Sequence, residues 1–178
     1  MTLPDGVEEL LRQRIRDVPD WPTRGVVFKD IAPLLADHAA FKAVIDALAT
    51  AHGPGEVDRV AGIEARGFVL GAPVAYVYGA GFVPVRKAGK LPGDVVASSY
   101  SLEYGTATVE VQADAFQPGE RVLVVDDVLA TGGTAAATID LVRRAGAEVV
   151  GLSVLIELAF LAGRDRVPDV PVHALLTM

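Results

Sequence analysis

The chain has 178 residues, 51% of them hydrophobic and none of them cysteine, and its formal net charge is −7 at pH 7. We therefore expect one globular domain that buries its core without disulfides, and cysteine-ligated metal sites and cysteine nucleophiles are excluded. The acidic balance disfavours a nucleic-acid partner, and the lack of a signal-like start or a membrane-length apolar stretch predicts a cytoplasmic protein with no membrane partner.

The first part of the chain is predicted to hold two helices separated by an irregular segment. Apolar residues at helical spacing predict a helix over residues 5–18, with Asp5 and Glu8 as a start resembling a capping box. The Pro- and Gly-rich residues 19–33 are too irregular for regular structure. Asp37 is predicted to cap the second helix.

The rest of the chain alternates short apolar runs with helical patterns. This alternation predicts an α/β fold, in which helices flank a central, mostly parallel sheet. The predicted strands are residues 60–63, 82–85, 122–125, 149–156 and 172–176. Helices are predicted over residues 72–78 and 134–145. We expect the first of these to begin near Gly71, because Pro73 is tolerated only near a helix start.

Two alternating segments, residues 95–104 and 106–113, flank Gly105 and predict a β-hairpin. We expect this hairpin, about residues 94–113, to project as a mobile flap rather than to form part of the core. No repeat or linker interrupts the chain, so a single domain over residues 1–178 is predicted.

The most informative segment begins where the strand at residues 122–125 ends. Asp126 and Asp127 follow that strand, and a tight turn then leads into a helix. The turn consists of Ala130, Thr131, Gly132, Gly133 and Thr134. Backbone N–H groups and the helix dipole converge at such a turn, which predicts a phosphate site. The two acids cannot bind the same phosphate, so we expect them to face sugar hydroxyls or a magnesium ion.

This unit of strand, paired acids and Thr-Gly-Gly-Thr turn resembles the phosphoribosyl pyrophosphate signature of the type I phosphoribosyltransferases. The resemblance implies that residues 130–134 hold the 5′-phosphate and that Asp126 and Asp127 face the ribose. It also implies Mg²⁺ carried with the substrate near these acids, and a homodimer. The alternative is that the acids only cap the turn and the glycines only shape it, but the complete unit favours the phosphate site.

Two further strand ends resemble the pyrophosphate site of this family. Arg66 follows the strand at residues 60–63, in the sequence Ile-Glu-Ala-Arg-Gly, and the resemblance implies that it contacts the leaving group. A surface ion pair with Glu64 is the alternative. Lys87 and Lys90 lie in a basic turn without nearby acids, and the resemblance implies that both bind pyrophosphate. A solvated basic loop is the alternative there.

The flap sequence Ser-Tyr-Ser-Leu-Glu-Tyr-Gly, residues 99–105, closely resembles the catalytic loop of the adenine-specific branch of the family. The resemblance implies that Glu103 transfers a proton and that Tyr104 is a lid residue near the pyrophosphate. Such groups suit the chemistry, because the ribosyl carbon must be shielded from water and the purine must exchange a ring proton. A solvated hairpin without a function is the alternative.

Residues 22–31 resemble the base-recognition segment of the same branch. The resemblance implies that Phe28 stacks on adenine and that the backbone of Val27 reads the edge of the base. Without its motif, Phe28 would be more typical of a core residue. Lys29 stands where the family often has Arg, and Lys cannot reproduce a planar bidentate contact. Glu157 also fits the family pattern, without an assigned role.

Together the motifs imply an enzyme of purine salvage, which transfers the phosphoribosyl group of phosphoribosyl pyrophosphate to adenine and yields AMP and pyrophosphate. One alternative is a phosphoribosyltransferase for hypoxanthine, guanine or xanthine, which shares the phosphate unit but usually differs in the flap and the base segment. Another is a regulator that binds phosphoribosyl pyrophosphate as a signal. The chain lacks the basic face that a DNA-binding regulator would need.

Overall fold

The structure of the protein, a computed structural model, describes residues 6–101 and 106–178. Two compact units divide the chain after Ala47. None of the helices in the described ranges has the length and apolar character needed to pass through a lipid bilayer.

The first unit combines helices with a small antiparallel sheet. Its elements are α1 (Val7–Arg14), β1 (Arg16–Pro19), β2 (Val27–Asp30), α2 (Ala32–Ala36) and most of α3 (His38–Leu48). Asp37 caps α3 as predicted, because its Oδ1 accepts hydrogen bonds from the N–H groups of Ala39 at 3.0 Å and Ala40 at 3.1 Å.

The helix predicted over residues 5–18 is wrong after Arg14. It ends at Arg14, and β1 then pairs antiparallel with β2, so tertiary pairing overrides the helical spacing. Glu8 does not close a capping box; it pairs with Arg12 one turn later, at 2.8 Å. Asp5, the other half of the predicted box, lies outside the described residues. β2 also places regular structure inside the segment predicted to be irregular.

The second unit is built on a seven-stranded sheet with the strand order β5-β6-β4-β3-β7-β8-β9. Its strands are β3 (Arg59–Ile63), β4 (Gly81–Lys87), β5 (Val95–Ser101), β6 (Thr106–Gln112), β7 (Arg121–Leu129), β8 (Glu148–Glu157) and β9 (Val172–Thr177). The last five strands in this order, β4, β3, β7, β8 and β9, run parallel to one another. All five predicted core strands and the α/β class are confirmed.

Two helices cover opposite faces of this sheet. They are α4 (Arg66–Tyr78) and α5 (Gly133–Arg144), and two short 3₁₀ helices, Ala159–Leu161 and Gly163–Arg166, follow β8. Gly71 of α4 faces the side chain of Val60, whereas Ala61 belongs to the apolar cluster that contains Ile139 and Leu141 of α5. Adjacent strand residues point to opposite faces, so the predicted double-sided cover is confirmed.

The start predicted for α4 near Gly71 is wrong, since the helix begins at Arg66 and contains Pro73 in its interior. Close packing on the sheet stabilises the early turns. A Cβ atom at Gly67 would lie 2.7 Å from the carbonyl oxygen of Val125, and one at Gly71 would lie 3.1 Å from the ring of Phe82. The absence of side chains at these glycines lets the helix approach the strands, and this packing outweighs the hydrogen bond that Pro73 cannot donate.

The hairpin is confirmed, with β5 and β6 in antiparallel register from Val95 and Gln112 to Ser101 and Thr106. The expectation that it stays outside the core is wrong for β6. Val109 and Val111 are buried in the core cluster, because β6 also pairs with β4 and its alternating residues face the interior. The connecting residues 102–105 lie outside the described part of the chain.

Candidate active site

Three parallel strands that lie side by side, β4, β3 and β7, end at one edge of the sheet. Lys87 closes β4, Arg66 begins the helix after β3, and Asp126 and Asp127 lie near the end of β7. In α/β sheets the crevice outside the carboxyl ends of the strands is the usual ligand site. The sheet order thus places three separate sequence motifs at the position where a ligand is expected.

The turn between β7 and α5 forms a small polar cavity of about 70 Å³. Its lining includes Asp126, Ala130, Thr131, Gly132, Gly133 and Thr134. Gly132 precedes α5 with φ +79°, a left-handed conformation suited to glycine, and no side chain among the described residues caps this helix. The N–H groups of its first turn therefore remain available to an anion, and the helix dipole favours negative charge there.

The two acids have different environments. Asp127 is buried and forms an ion pair with Arg66, whereas Asp126 lines the cavity and is half-buried. Asp126 also accepts a hydrogen bond from the Asp127 N–H at 2.9 Å. Burial, followed by the nearby charge of Asp127, raises the pKa of Asp126 well above its usual range. Asp126 is thus the member of the pair that faces the cavity.

Arg66 connects the strand end of β3 to that of β7. Its guanidinium contacts Asp127, which lies 61 residues later in the chain, and its side chain stays 42% exposed. The alternative ion pair with Glu64 is therefore not the one that forms. The Arg66 guanidinium thus joins the two strand ends through a contact between a cation and an acid.

Glu64 instead fixes the end of β4. Its Oε2 accepts hydrogen bonds from the backbone N–H of Lys87 at 3.1 Å and from Nε of Arg86 at 3.2 Å. The hydrogen bond from Lys87 is the main cause that lowers the pKa of Glu64. The carboxylate thus stays charged and holds the backbone that carries Lys87.

The prediction of a basic turn without nearby acids is wrong. Glu64 lies beside it, and Glu110 accepts a hydrogen bond from the N–H of Gly89 at 2.9 Å. Both acids come from neighbouring strands more than 20 residues away in the chain, so the sequence around the turn does not show them. Lys87 and Lys90 are exposed, and within the described ranges neither side chain forms an ion pair.

Gly67 is a site residue that the sequence patterns do not single out. A Cβ atom there would lie 3.1 Å from Oδ1 of Asp126 as well as against the backbone of Val125. Glycine therefore allows α4 to pass directly behind the cavity acid. Its position after Arg66, in a strand-end motif, is the only signal in the sequence that could have identified it. In the same motif, the peptide bond between Glu64 and Ala65 is cis.

The predicted catalytic residues Glu103 and Tyr104 lie outside the described residues. The strand that leads to them is attached to α5 at several points. Ser98 donates to Asp140 at 2.9 Å, and Arg144 donates to the carbonyl oxygen of Ala97 at 2.8 Å. Nearer the turn, Thr134 Oγ1 donates to the hydroxyl of Tyr100 at 2.9 Å, so β5 reaches the start of α5.

The predicted base-binding residues lie in the first unit. Val27 is 48% exposed, whereas Phe28 is half-buried and packs edge-on against Trp21 with ring centroids 4.3 Å apart. Lys29 is engaged within the same small sheet, since its Nζ contacts both carboxylate oxygens of Asp17 at 2.7 and 2.9 Å. The Lys29 side chain therefore stabilises the pairing of β1 with β2.

The comparisons with known proteins agree with this geometry. The family model of the phosphoribosyl transferase domain matches residues 31–172. The adenine phosphoribosyltransferase of Acidothermus cellulolyticus is 61% identical over 97% of this chain and 98% of its own length. The crystal structure of adenine phosphoribosyltransferase from Rhodothermus marinus is 53% identical with a TM-score of 0.94, covering 98% of this chain and 100% of that one.

A third relative was solved with ligands in place. Adenine phosphoribosyltransferase from Saccharomyces cerevisiae, complexed with an imino-altritol bisphosphate and adenine, is 38% identical with a TM-score of 0.92 and covers 97% of this chain and 100% of that one. The sheet edge with its uncapped helix start and paired acids, the family match and these full-length similarities agree. The chain therefore belongs to the adenine phosphoribosyltransferases of the type I phosphoribosyltransferase family.

Proposed function

We propose that the chain catalyses its family's reaction at the edge formed by β3, β4 and β7. The bond between the ribosyl carbon and pyrophosphate breaks, a ring nitrogen of adenine bonds to that carbon and loses its proton, and AMP and pyrophosphate result. The observation that carries the proposal is the uncapped first turn of α5 beside Asp126, which offers N–H donors and a carboxylate within one cavity. A sugar phosphate presents the complementary groups.

In this proposal the backbone N–H groups of residues 130–134 donate to the 5′-phosphate, and the carboxylates of Asp126 and Asp127 accept from the ribose hydroxyls. Hydrogen bonds that involve a charged group contribute about 1.5 to 3 kcal/mol each. The contact between Arg66 and Asp127 supports this division of roles, since it holds the cation assigned to the leaving group beside the acids assigned to the ribose.

Pyrophosphate is proposed to lie between Arg66, Lys87 and Lys90. The ion pair holds Arg66 at one end of this region, and the hydrogen bond from Lys87 N–H to Glu64 holds the backbone at the other. The exposed side chains of Lys87 and Lys90 supply further positive charge. Lysine binds phosphate as a point charge, which suits a group that must leave after each turnover.

Magnesium is proposed to bind with the substrate. The residues present fit this metal, because Asp126 and Asp127 provide the carboxylate oxygens that Mg²⁺ prefers. Mg²⁺ is usually bound by one or two carboxylates together with substrate phosphates rather than by a complete protein cage. The ion would reduce the negative charge of the departing pyrophosphate.

Glu103 and Tyr104 are proposed to act from the flap, Glu103 in proton transfer and Tyr104 as a lid. Glu103 follows Tyr100 by three residues, and Tyr100 contacts Thr134 of the phosphate turn. This contact supports a flap that works at the same site.

Adenine is proposed to be read by the backbone of Val27 with Phe28 against its ring. Adenine presents an acceptor at N1 beside an amino donor, whereas hypoxanthine and guanine present the reverse order, so a mismatched base would leave polar groups unpaired. Pro19, the register partner of Val27, has no N–H and cannot donate to the Val27 carbonyl. The edge-on contact with Trp21 supports a fixed ring at position 28.

A homodimer is also proposed. Val69, Ala72 and Tyr76 share one face of α4, at helical spacing, and all three are exposed. An exposed apolar face of this kind is typical of an interaction surface, and the proposed occupant is the same face of a second copy.

The deciding experiment is competition among adenine, hypoxanthine and guanine, with magnesium and phosphoribosyl pyrophosphate, followed by formation of each nucleotide. We expect AMP to form almost exclusively, because each unpaired polar group in a mismatched complex costs about 1 to 3 kcal/mol. Equal use of a 6-oxopurine would contradict the specificity for adenine and would support only the broader assignment as a phosphoribosyltransferase. Binding of phosphoribosyl pyrophosphate without any nucleotide formed would favour a regulator.

A further inference from the structure

Glu157, which the proposed reaction does not use, ends β8 in a bidentate ion pair. Its two carboxylate oxygens accept hydrogen bonds from Nε of Arg164 at 2.6 Å and from Nη2 at 2.7 Å. Nη1 of the same guanidinium donates to the carbonyl oxygen of Val172 at 3.1 Å. Glu157 is only 7% exposed, and both oxygens of this buried carboxylate are paired with the Arg164 guanidinium. Fork geometry of this kind fixes orientation as well as distance.

Residues 158–166, which contain the two 3₁₀ helices and are called the 3₁₀ segment below, lie against the turn at residues 130–132. A Cβ atom at Gly163 would overlap the carbonyl oxygen of Ala130, and one at Gly132 would overlap the carbonyl oxygen of Gly163. Leu158, at the start of the segment, donates its N–H to the carbonyl oxygen of Leu129 at 2.9 Å. The backbones of the turn and of the 3₁₀ segment are therefore in direct contact on both sides of Gly163.

In the part of the chain that the structure describes, few other polar interactions hold this segment. Ala159 bonds to the carbonyl oxygen of Met178, and the remaining backbone bonds of the two 3₁₀ helices are local. Among the described residues, Arg164 is the only side chain between 158 and 166 that forms an ion pair. Besides the apolar packing of Val167 in the core cluster, the contact of Arg164 with Glu157 is thus the main side-chain interaction that holds the segment around Gly163.

We propose that Glu157 is a positioning residue for phosphate binding, which acts through Arg164 to press the Gly163 backbone against the turn at residues 130–132. The inference rests on the proposed function, because it assigns the 5′-phosphate to that turn. The turn must aim several N–H groups at one anion, and its glycine provides no side chain to fix its own conformation. The support therefore comes from the neighbouring backbone.

The test uses Glu157→Gln, which keeps the size of the side chain and removes its charge. We expect roughly tenfold weaker binding of ribose 5-phosphate by calorimetry, because loss of one well-oriented hydrogen bond to a charged group weakens binding by about that factor. Binding of magnesium pyrophosphate, which uses the other strand ends, should be unchanged. In steady-state kinetics the KM for phosphoribosyl pyrophosphate should rise more than kcat falls.

Asp58→Asn is the matched control. Asp58 forms a similar bidentate pair with Arg121, but at the amino ends of the strands, on the opposite edge of the sheet. This variant should lose stability and keep wild-type affinity for ribose 5-phosphate. The double variant Glu157→Gln with Arg164→Met should bind ribose 5-phosphate no more weakly than Glu157→Gln alone, because the two side chains act as one unit.

Wild-type affinity for ribose 5-phosphate in folded Glu157→Gln would overturn the positioning role, as would an equal loss of both ligands. Wild-type protein that binds no ribose 5-phosphate would overturn the proposed function itself, and the positioning role with it.

Discussion

Asp126 is held in surroundings that disfavour its charged form. Burial and the neighbouring Asp127 raise its pKa, whereas the ordinary value for an aspartate is about 3.9. Between the ordinary and the raised pKa the folded state binds more protons than the unfolded state. The free energy of unfolding therefore falls as pH rises through this window. The charged form of Asp126 thus reduces stability, as is common for residues that serve a ligand.

We predict that Asp126→Asn raises the free energy of unfolding near neutral pH and removes the part of its pH dependence that Asp126 causes. The same variant should bind phosphoribosyl pyrophosphate about tenfold more weakly or worse, because the amide replaces a charged acceptor. Urea unfolding at pH 5 and pH 7.5 and calorimetric titration measure the two effects. Asp114→Asn, an exposed change elsewhere, should alter neither. A less stable variant with unchanged affinity would contradict the role given to Asp126.

At the scale of elements, β3 and β7 are fastened at their amino ends by Asp58 and Arg121. The guanidinium donates to both oxygens of Asp58, at 2.8 and 2.9 Å, and the backbone N–H of Arg121 adds a third bond at 2.9 Å. The side-chain hydrogen bond from Arg121 is the largest cause that lowers the pKa of Asp58, to about 2. The pair thus stabilises the contact between the two strands at the edge of the sheet opposite to the candidate site.

Because the folded pKa of Asp58 is below its ordinary value, the stabilisation is fully present above about pH 4 and is lost as pH falls toward 2. We predict that Asp58→Asn lowers the urea midpoint at pH 6 and narrows the difference in midpoint between pH 6 and pH 3. Asp46→Asn removes an exposed pair with Lys42 on α3 and should have a small effect, since such helix pairs contribute about 0.3 to 0.5 kcal/mol. Equal changes of the urea midpoint in the two variants would contradict the larger contribution to stability that we assign to the pair of Asp58 and Arg121.

At the scale of the whole molecule, the exposed face of α4 bears on assembly. Tyr76 is 86% exposed and Val69 is 44% exposed on the same helix that begins with Arg66. In the proposed dimer, contacts between the two copies would therefore stabilise the helix that begins with Arg66.

We predict that Tyr76→Glu converts the proposed dimer to a monomer, because it places a charge in an apolar contact that would otherwise exclude water. Light scattering coupled to size-exclusion chromatography over a range of concentrations measures the mass. Phe160→Glu, at an exposed aromatic residue of a 3₁₀ helix, is the control and should leave the mass unchanged. A wild-type protein of monomer mass at all concentrations would contradict the dimer.

The sequence alone was sufficient for the parts that depend on neighbouring residues. The apolar run that ends in Asp126 and Asp127, and the glycine turn after it, predict a strand, a tight turn and a helix, because periodicity and backbone freedom are local properties. The same holds for the Asp37 cap of α3. The residues assigned to the flap turn remain a prediction from sequence, since they lie outside the described part of the chain.

The tertiary structure decided which distant groups meet. Arg66 pairs with Asp127 rather than with Glu64, its near neighbour, because the sheet places β3 beside β7. α4 begins five residues before Gly71, since its packing on the strands outweighs the presence of Pro73. Gly163 lies behind the phosphate turn only because the chain returns after β8. Local patterns determine the elements and their chemistry, whereas partners separated by tens of residues are chosen by strand order and close packing, which no local pattern encodes.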